Sequence, residues 1–214
     1  MVAALVAGGG IARAQSPNSM TKEFEDVRFR ISYMHWTRGA EPAVPYRSEG
    51  PVVVVYLGNG ALQTSAFGAA QSHVAGEVSY LEPGTVVNGG MLASSASLRA
   101  VIVELKNVGS SRPLQESGFT PAFPRADATP VLDNSRVIIW RMLYRPGQQS
   151  PILVHEKNSV LVWLNDVDID RAYPNQPPHR EHRSAGVWEM IKAGVSMSEL
   201  VVNLPAQAVT IELK

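Results

Sequence analysis

The strongest constraint on this chain is that it writes one strand pattern twice. "RAVIVELK" runs from Arg99 to Lys106, and "QAVTIELK" forms the last eight residues, Gln207 to Lys214. A shift of about 108 residues aligns more than these two strands. "RFRISYMHWTRG" (Arg28 to Gly39) falls on "RVIIWRMLYRPG" (Arg136 to Gly147). After one gap, "PVVVVYL" (Pro51 to Leu57) falls on "SVLVWL" (Ser159 to Leu164). The chain therefore reads as a tandem duplication, and 214 residues suffice for two domains that each bury a core.

Within each half, β-branched and aromatic runs bounded by Gly, Pro, Asn and Asp predict strands, and helical periodicity is nearly absent. "GNGAL" (Gly58 to Leu62) and "NDVDI" (Asn165 to Ile169) supply turn residues after the Val-rich strands. "EPGT" (Glu82 to Thr85) and "KAG" (Lys192 to Gly194) turn the chain again before the closing strands. The expected organisation is residues 1–19 as a signal sequence and disordered N-terminus, 20–106 as a first domain, 107–133 as a Pro- and Ser-rich surface linker, and 134–214 as a second domain. Both domains are all-β, open at this point to a sandwich, a barrel or a jelly roll.

Lys+Arg and Asp+Glu each number 19, so no excess of basic residues points to nucleic acid. With no cysteine there is neither a disulfide nor a thiolate metal site. Ala3 to Ile11 is a short apolar run followed by "ARAQS", in which Ala12 and Ala14 make an A-x-A cleavage site. The expectation is export to the periplasm or the medium after cleavage behind Ala14. No other apolar run reaches the ~20 residues of a spanning helix.

The order of these segments resembles the cupin superfamily. It consists of a strand bearing V-x-x-W-R, a "PG" turn, "P-I-x-x-H-E-x-x-S-V-L-V-W-L", a later "AG" or "PG" turn and a closing V-x-V/I-E-L-K strand. The likeness covers Val27 to Lys106 and Asn134 to Lys214, and the duplication makes the chain similar to double-cupin proteins. It implies two tandem β-barrels of the jelly-roll type. Metal-binding cupins resemble one another in H-x-H, then Glu or Gln, then a later His, because a divalent ion needs three or four converging donors.

The matching positions here depart from that pattern. In the first half they fall on Tyr46, Ser48, Val52 and a residue near Val86. In the second half they fall on Leu153, His155, Ser159 or Val160 and a residue near Val195. Leu and Val offer no lone pair, and one imidazole does not hold a metal against water. No metal and no cofactor is therefore expected. Tyr46, Ser48, His155 and Ser159 are the candidate ligand-binding residues, and His155 is the best candidate for acid–base chemistry.

The remaining polar groups have ordinary alternatives. His179 and His182 lie in the polar, Pro-rich "YPNQPPHREHRSAG", read as a solvated loop with Arg180 and Arg183 repelling cations; His73 has no partner nearby in sequence. His35 and Trp36 fall opposite Leu143 and Tyr144 in the repeat and read as packing residues. Asp166, Asp168 and Asp170 alternate along one strand face, without the glycine-centred loop of a calcium site. No nucleophile-elbow, zincin or phosphate-loop motif occurs.

The expectation is a metal-free double cupin that acts as a binding or structural module for a small organic ligand, as a monomer or homodimer. The alternative is a cupin-type enzyme. It would be a metal-free isomerase or epimerase using His155 with Tyr46 or Ser48, or a metal-dependent oxygenase or lyase with ligands from His73, His179 and His182.

Overall fold

The computed structural model of the chain describes residues 6–8, 18–37, 46–65, 70–88, 97–106 and 118–214. The expected cleavage site at Ala12 and Ala14 and residues 107–117 of the expected linker lie outside the described residues. Every element among the described residues is a strand. The chain divides into two units, Ile11–Val108, and Gly109–Lys214 together with Met1–Gly10. The short strand β1 (Val6–Gly8) thus belongs to the C-terminal unit, where it pairs with a strand centred on Glu189.

The N-terminal unit holds β2 (Asn18–Glu25), β3 (Phe29–Thr37), β4 (Tyr46–Arg47), β5 (Val52–Tyr56), β6 (Gly60–Thr64), β7 (Ala70–His73), β8 (Val78–Leu81), β9 (Val86–Asn88) and β10 (Ser97–Leu105). They form two sheets, ordered β2-β3-β10-β5-β8 and β4-β9-β6-β7. Side chains alternate across a strand, so Met34 and Trp36 of β3 and Leu98, Ala100 and Ile102 of β10 enter one interior with Val52, Val54 and Leu62. Every residue of β5 is buried, which is why its run of valines shows no alternation.

The C-terminal unit adds β11 (Thr120–Pro121), β12 (Ala128–Asp133), β13 (Val137–Tyr144), β14 (Leu153–Val154), β15 (Ser159–Trp163), β16 (Val167–Ala172), β17 (His179–Arg183), β18 (Trp188–Ile191), β19 (Ser196–Val201) and β20 (Ala206–Leu213). Its sheets run β1-β18-β15-β20-β13-β12 and β11-β14-β19-β16-β17. Apart from β1 and β11, this is the N-terminal order repeated. The register repeats too: Phe29 faces Leu105 and Val137 faces Leu213. Two tandem jelly-roll barrels related by duplication are therefore present in the fold.

Three expectations change. Strand β2 already begins at Asn18, inside the stretch expected to be disordered. Strands β11 and β12 lie within the expected linker 107–133. Pro130 disguised β12, because proline is tolerated on an edge strand, and the register shifts between Pro130 and Leu132. The segment His179–Arg183, expected as a loop, is the edge strand β17; its polar composition concealed the alternation, and it is held by cross-strand pairs such as Arg180 with Asp170.

The repeated Gly turns position the cups. Gly84 (φ 78°) donates its N–H to the Ser48 carbonyl at 3.0 Å, and Gly194 (φ 91°) donates to the His155 carbonyl at 2.8 Å. Left-handed backbone at both favours glycine. Gly50 is constrained differently: a Cβ there would lie 2.0 Å from the Leu105 carbonyl oxygen, a main-chain atom in the central ladder. Gly50→Ala is expected to destabilise the N-terminal unit by about 1–3 kcal/mol, read as a lower urea midpoint with unchanged slope.

Candidate functional site in the C-terminal cup

The four positions where the family pattern carries donors are equivalent in the two cups. Ser48 N–H donates to the Thr85 carbonyl (3.2 Å) and His155 N–H to the Val195 carbonyl (2.9 Å). Tyr46 lies across from Val87, and Leu153 across from Met197. The later donor position, expected near Val86 and Val195, is thus taken by Val87 and Met197 in the ladder. The sets are Tyr46, Ser48, Val52 and Val87 in one cup and Leu153, His155, Ser159 and Met197 in the other.

In the N-terminal cup the two candidate residues, Tyr46 and Ser48, are bonded within the protein. Glu104 lies on the inward face of β10 and is 3% exposed. Its Oε1 accepts the Glu49 and Gly50 amides at 2.6 and 3.0 Å, and its Oε2 accepts Tyr46 Oη at 2.5 Å and Arg30 Nη1 at 3.2 Å. Burial, reinforced by the hydrogen bond to Glu104, raises the Tyr46 phenol well above its ordinary pKa, so it stays a donor. Ser48 Oγ lies 3.4 Å from the Thr85 carbonyl. Both candidate residues of this cup are engaged within the protein.

The C-terminal cup is organised around Arg171, whose side chain is completely buried on the inward face of β16 with Val167 and Ile169. Its direct neighbour in the ladder is Glu199 of β19, whose Oε1 accepts Arg171 Nε and Nη2, both at 3.1 Å. From the other sheet, Glu189 of β18 takes a short bond from Arg171 Nη1, and also accepts Trp163 Nε1 (2.8 Å) and Arg183 Nε (2.7 Å). Burial opposes the charge of Arg171, but the two carboxylates outweigh it and raise its pKa. Burial likewise opposes ionisation of Glu189, and Arg171 overrules it, holding the carboxyl below its ordinary value.

Glu199 connects this cluster to a pocket of about 330 Å³ within the C-terminal unit. Tyr144 Oη donates to Glu199 Oε2 at 3.1 Å. The guanidinium of Arg125 lies 5.3 Å from the centre of the Tyr144 ring and is bound to Asp127 through Nε (2.5 Å) and Nη2 (2.7 Å). Pro121 and Leu153 contribute apolar wall. Such a mixture of apolar wall and a few fixed polar groups suits a small molecule.

His155 and Ser159 are buried in the same unit, 7% and 0% exposed. Neither His155 Nδ1 nor Ser159 Oγ has a hydrogen-bond partner among the described residues. Burial, followed by the positive charges of Arg125 and Arg171, pushes the His155 pKa down to about 3. Its imidazole is therefore neutral at physiological pH, and Phe123 packs edge-on against it with ring centres 6.2 Å apart.

The other histidines are dispersed. His179 and His182 point to opposite faces of β17, because they are three residues apart on a strand of period two. His179 pairs with Glu181 and His182 with Asp168, each at 2.8 Å. His73 stacks on Tyr56 with ring centres 4.0 Å apart, and its Nδ1 lies 3.2 Å from Glu77, outside hydrogen-bond geometry. Trp36 is in the N-terminal core and His35 is half-buried. Asp166 accepts the Ala185 amide, Asp168 is bonded to His182, and Asp170 is bonded to Arg180.

The residues present do not fit the metal of the family pattern. Leu153 has no donor, Met197 offers only a thioether, and Ser159 offers a neutral hydroxyl beside one imidazole. Among the described residues, no group of three His, Asp or Glu side chains is placed to hold a metal ion. Arg125, Tyr144, Arg171, Glu189 and Glu199 were missed in the sequence reading, although a signal was present. Arg171 alternates with Val167 and Ile169, and Glu199 with Met197 and Val201, which puts charges on apolar faces.

No protein-family model and no curated protein sequence matches the chain. Solved structures do. AerE from Microcystis aeruginosa superposes with a TM-score of 0.68 at 10% identity, over 94% of this chain and 95% of that one. A cupin 2 conserved barrel domain protein from Leptotrichia buccalis gives 0.59 at 10% identity, over 95% and 92%. The vicilin from Solanum melongena, whose structure revealed different anionic ligands in structurally similar pockets, gives 0.58 at 11% identity, over 86% and 74%. With the duplicated sheets and repeated register, these likenesses establish that the chain has the cupin fold, as two tandem barrels.

Proposed function

We propose that this protein is a binding module whose C-terminal cup holds a small organic molecule without a metal ion, and whose N-terminal cup serves a structural role. The observation that carries this reading is the 330 Å³ pocket bordered by Arg125, Tyr144 and Glu199, beside a cup whose former donor positions hold Leu153, His155, Ser159 and Met197. Arg171 supplies the interior with a fixed positive charge, held by Glu189 and Glu199. A neutral, deeply buried His155 has no charged form to offer as a general acid near pH 7. The internal bonds of Tyr46 and Ser48 support a structural role for the first cup.

The test combines metal analysis with a blocked pocket. Protein purified without chelator is expected to contain less than about one metal ion per ten chains, and a ligand that stabilises the fold should raise its melting temperature. Ala126→Trp, which places an indole in the pocket, should abolish that rise while the variant stays folded. A stoichiometric metal ion, or stabilisation unaffected by Ala126→Trp, would overturn the proposal.

A further inference from the structure

We infer that the C-terminal pocket selects a small organic acid carrying a hydrogen-bond donor away from its acid group. This rests on the reading of that pocket as a binding site and adds the chemical class of its ligand.

The charges bordering the pocket are unequal in availability. Asp127 has both oxygens bonded to Arg125, through Nε and Nη2, so these two charges largely compensate each other and the donors of Arg125 left uncommitted are those of Nη1 and the second N–H of Nη2. Glu199 is bonded from beneath by Arg171, which donates twice to its Oε1 and shares its charge with Glu189 and Glu181. Arg145 also borders the pocket, and no carboxylate among the described residues pairs with it. Among the charged side chains bordering the pocket, Arg145 is therefore the one without an ion-pair partner among the described residues. Guanidinium groups recognise planar carboxylates through paired N–H donors, so an acid group is the natural partner for Arg145 and the uncommitted Nη1 of Arg125.

Glu199 supplies the second requirement. Its Oε1 is saturated by Arg171, whereas its Oε2 accepts one bond, from Tyr144 Oη at 3.1 Å, and keeps capacity for one more. A ligand hydroxyl or amine can donate there. Apolar wall at Pro121 and Leu153 favours a hydrocarbon frame between the two polar ends, and a volume of about 330 Å³ suits a single ring.

The test titrates the full chain, labelled with 15N, with 3- and 4-hydroxybenzoate, benzoate and phenol, reading amide shifts of Arg125, Tyr144, Arg145 and Glu199. At least one hydroxybenzoate should bind about tenfold or more tightly than benzoate or phenol. Arg145→Gln, at an exposed position, should weaken the hydroxybenzoate about tenfold and leave phenol unchanged; Arg125→Lys, which keeps the charge beside Asp127, should also weaken it. If phenol or benzoate shifts the same amides with equal affinity, the ligand class is overturned while the binding pocket stands. If no probe shifts these amides, the class is again overturned, and binding of unrelated molecules blocked by Ala126→Trp shows whether the pocket reading survives.

Discussion

Replacement of Arg171 by Met is expected to cost the C-terminal unit about 3–5 kcal/mol, because it leaves Glu189 and Glu199 buried without their shared countercharge. The same charges explain why a simple loss of hydrogen bonds would underestimate the effect. At about 4–8 °C per kcal/mol for a unit of this size, the melting transition should fall by at least about 12 °C. The triple variant Arg171→Met, Glu189→Gln, Glu199→Gln should recover part of the loss, since the amides can be buried uncharged. A fall of less than about 1 kcal/mol for Arg171→Met would show that the cluster does not hold the cup together.

His155 is expected to make stability depend on pH well above the range in which carboxylates titrate. Its folded pKa, about 3, lies below the ordinary value of 6.5. Above pH 6.5 the imidazole is neutral in both states and contributes nothing to the pH dependence. Below it, the unfolded chain takes up a proton that the folded chain refuses, so stability falls as pH falls, by up to about 1.4 kcal/mol per pH unit, until the folded pKa is reached. Between pH 6 and 5, His155→Leu should remove most of this slope in urea unfolding. Below about pH 4.5 a second loss should persist in the variant, because Glu189 is held below its ordinary pKa and its protonation dismantles the bond to Arg171. Equal slopes for wild type and His155→Leu between pH 6 and 5 would mean that the imidazole is hydrated or protonated in the folded protein.

Much of the fold was legible in the residues. The shift that superposes "RAVIVELK" on "QAVTIELK" is the shift that superposes the ladders, since Glu104 faces Arg30 in one unit as Glu212 faces Ile138 in the other. The Gly turns at Gly84 and Gly194 were legible for a local reason, the positive φ that each must adopt. Edge strands were the weak point. Strand β12 contains Pro130, and β17 is polar throughout, so neither shows the apolar alternation by which a strand announces itself.

The candidate site was less legible. His155 and Ser159 were identified from the strand wording, and both prove to be buried with an unpartnered polar atom. The pocket-bordering Arg125, Tyr144 and Glu199 were not identified, nor was Arg171. Their chemistry exists only where they meet: Arg171 comes from β16, Glu199 from β19, Glu189 from β18 of the other sheet, and Arg125 from a segment that reads as linker.

By itself, the sequence determined that the chain repeats, that both halves are built of strands, and that all but one, His155, of the histidine and carboxylate donors of the cupin metal pattern are replaced. These follow from side-chain type and from periods of two residues, which are local properties. Only the tertiary structure decided that a buried arginine would be caged by glutamates from two sheets beside a small-molecule pocket. Burial, and the Coulomb attraction that burial strengthens, depend on which residues converge in space rather than on which are neighbours along the chain.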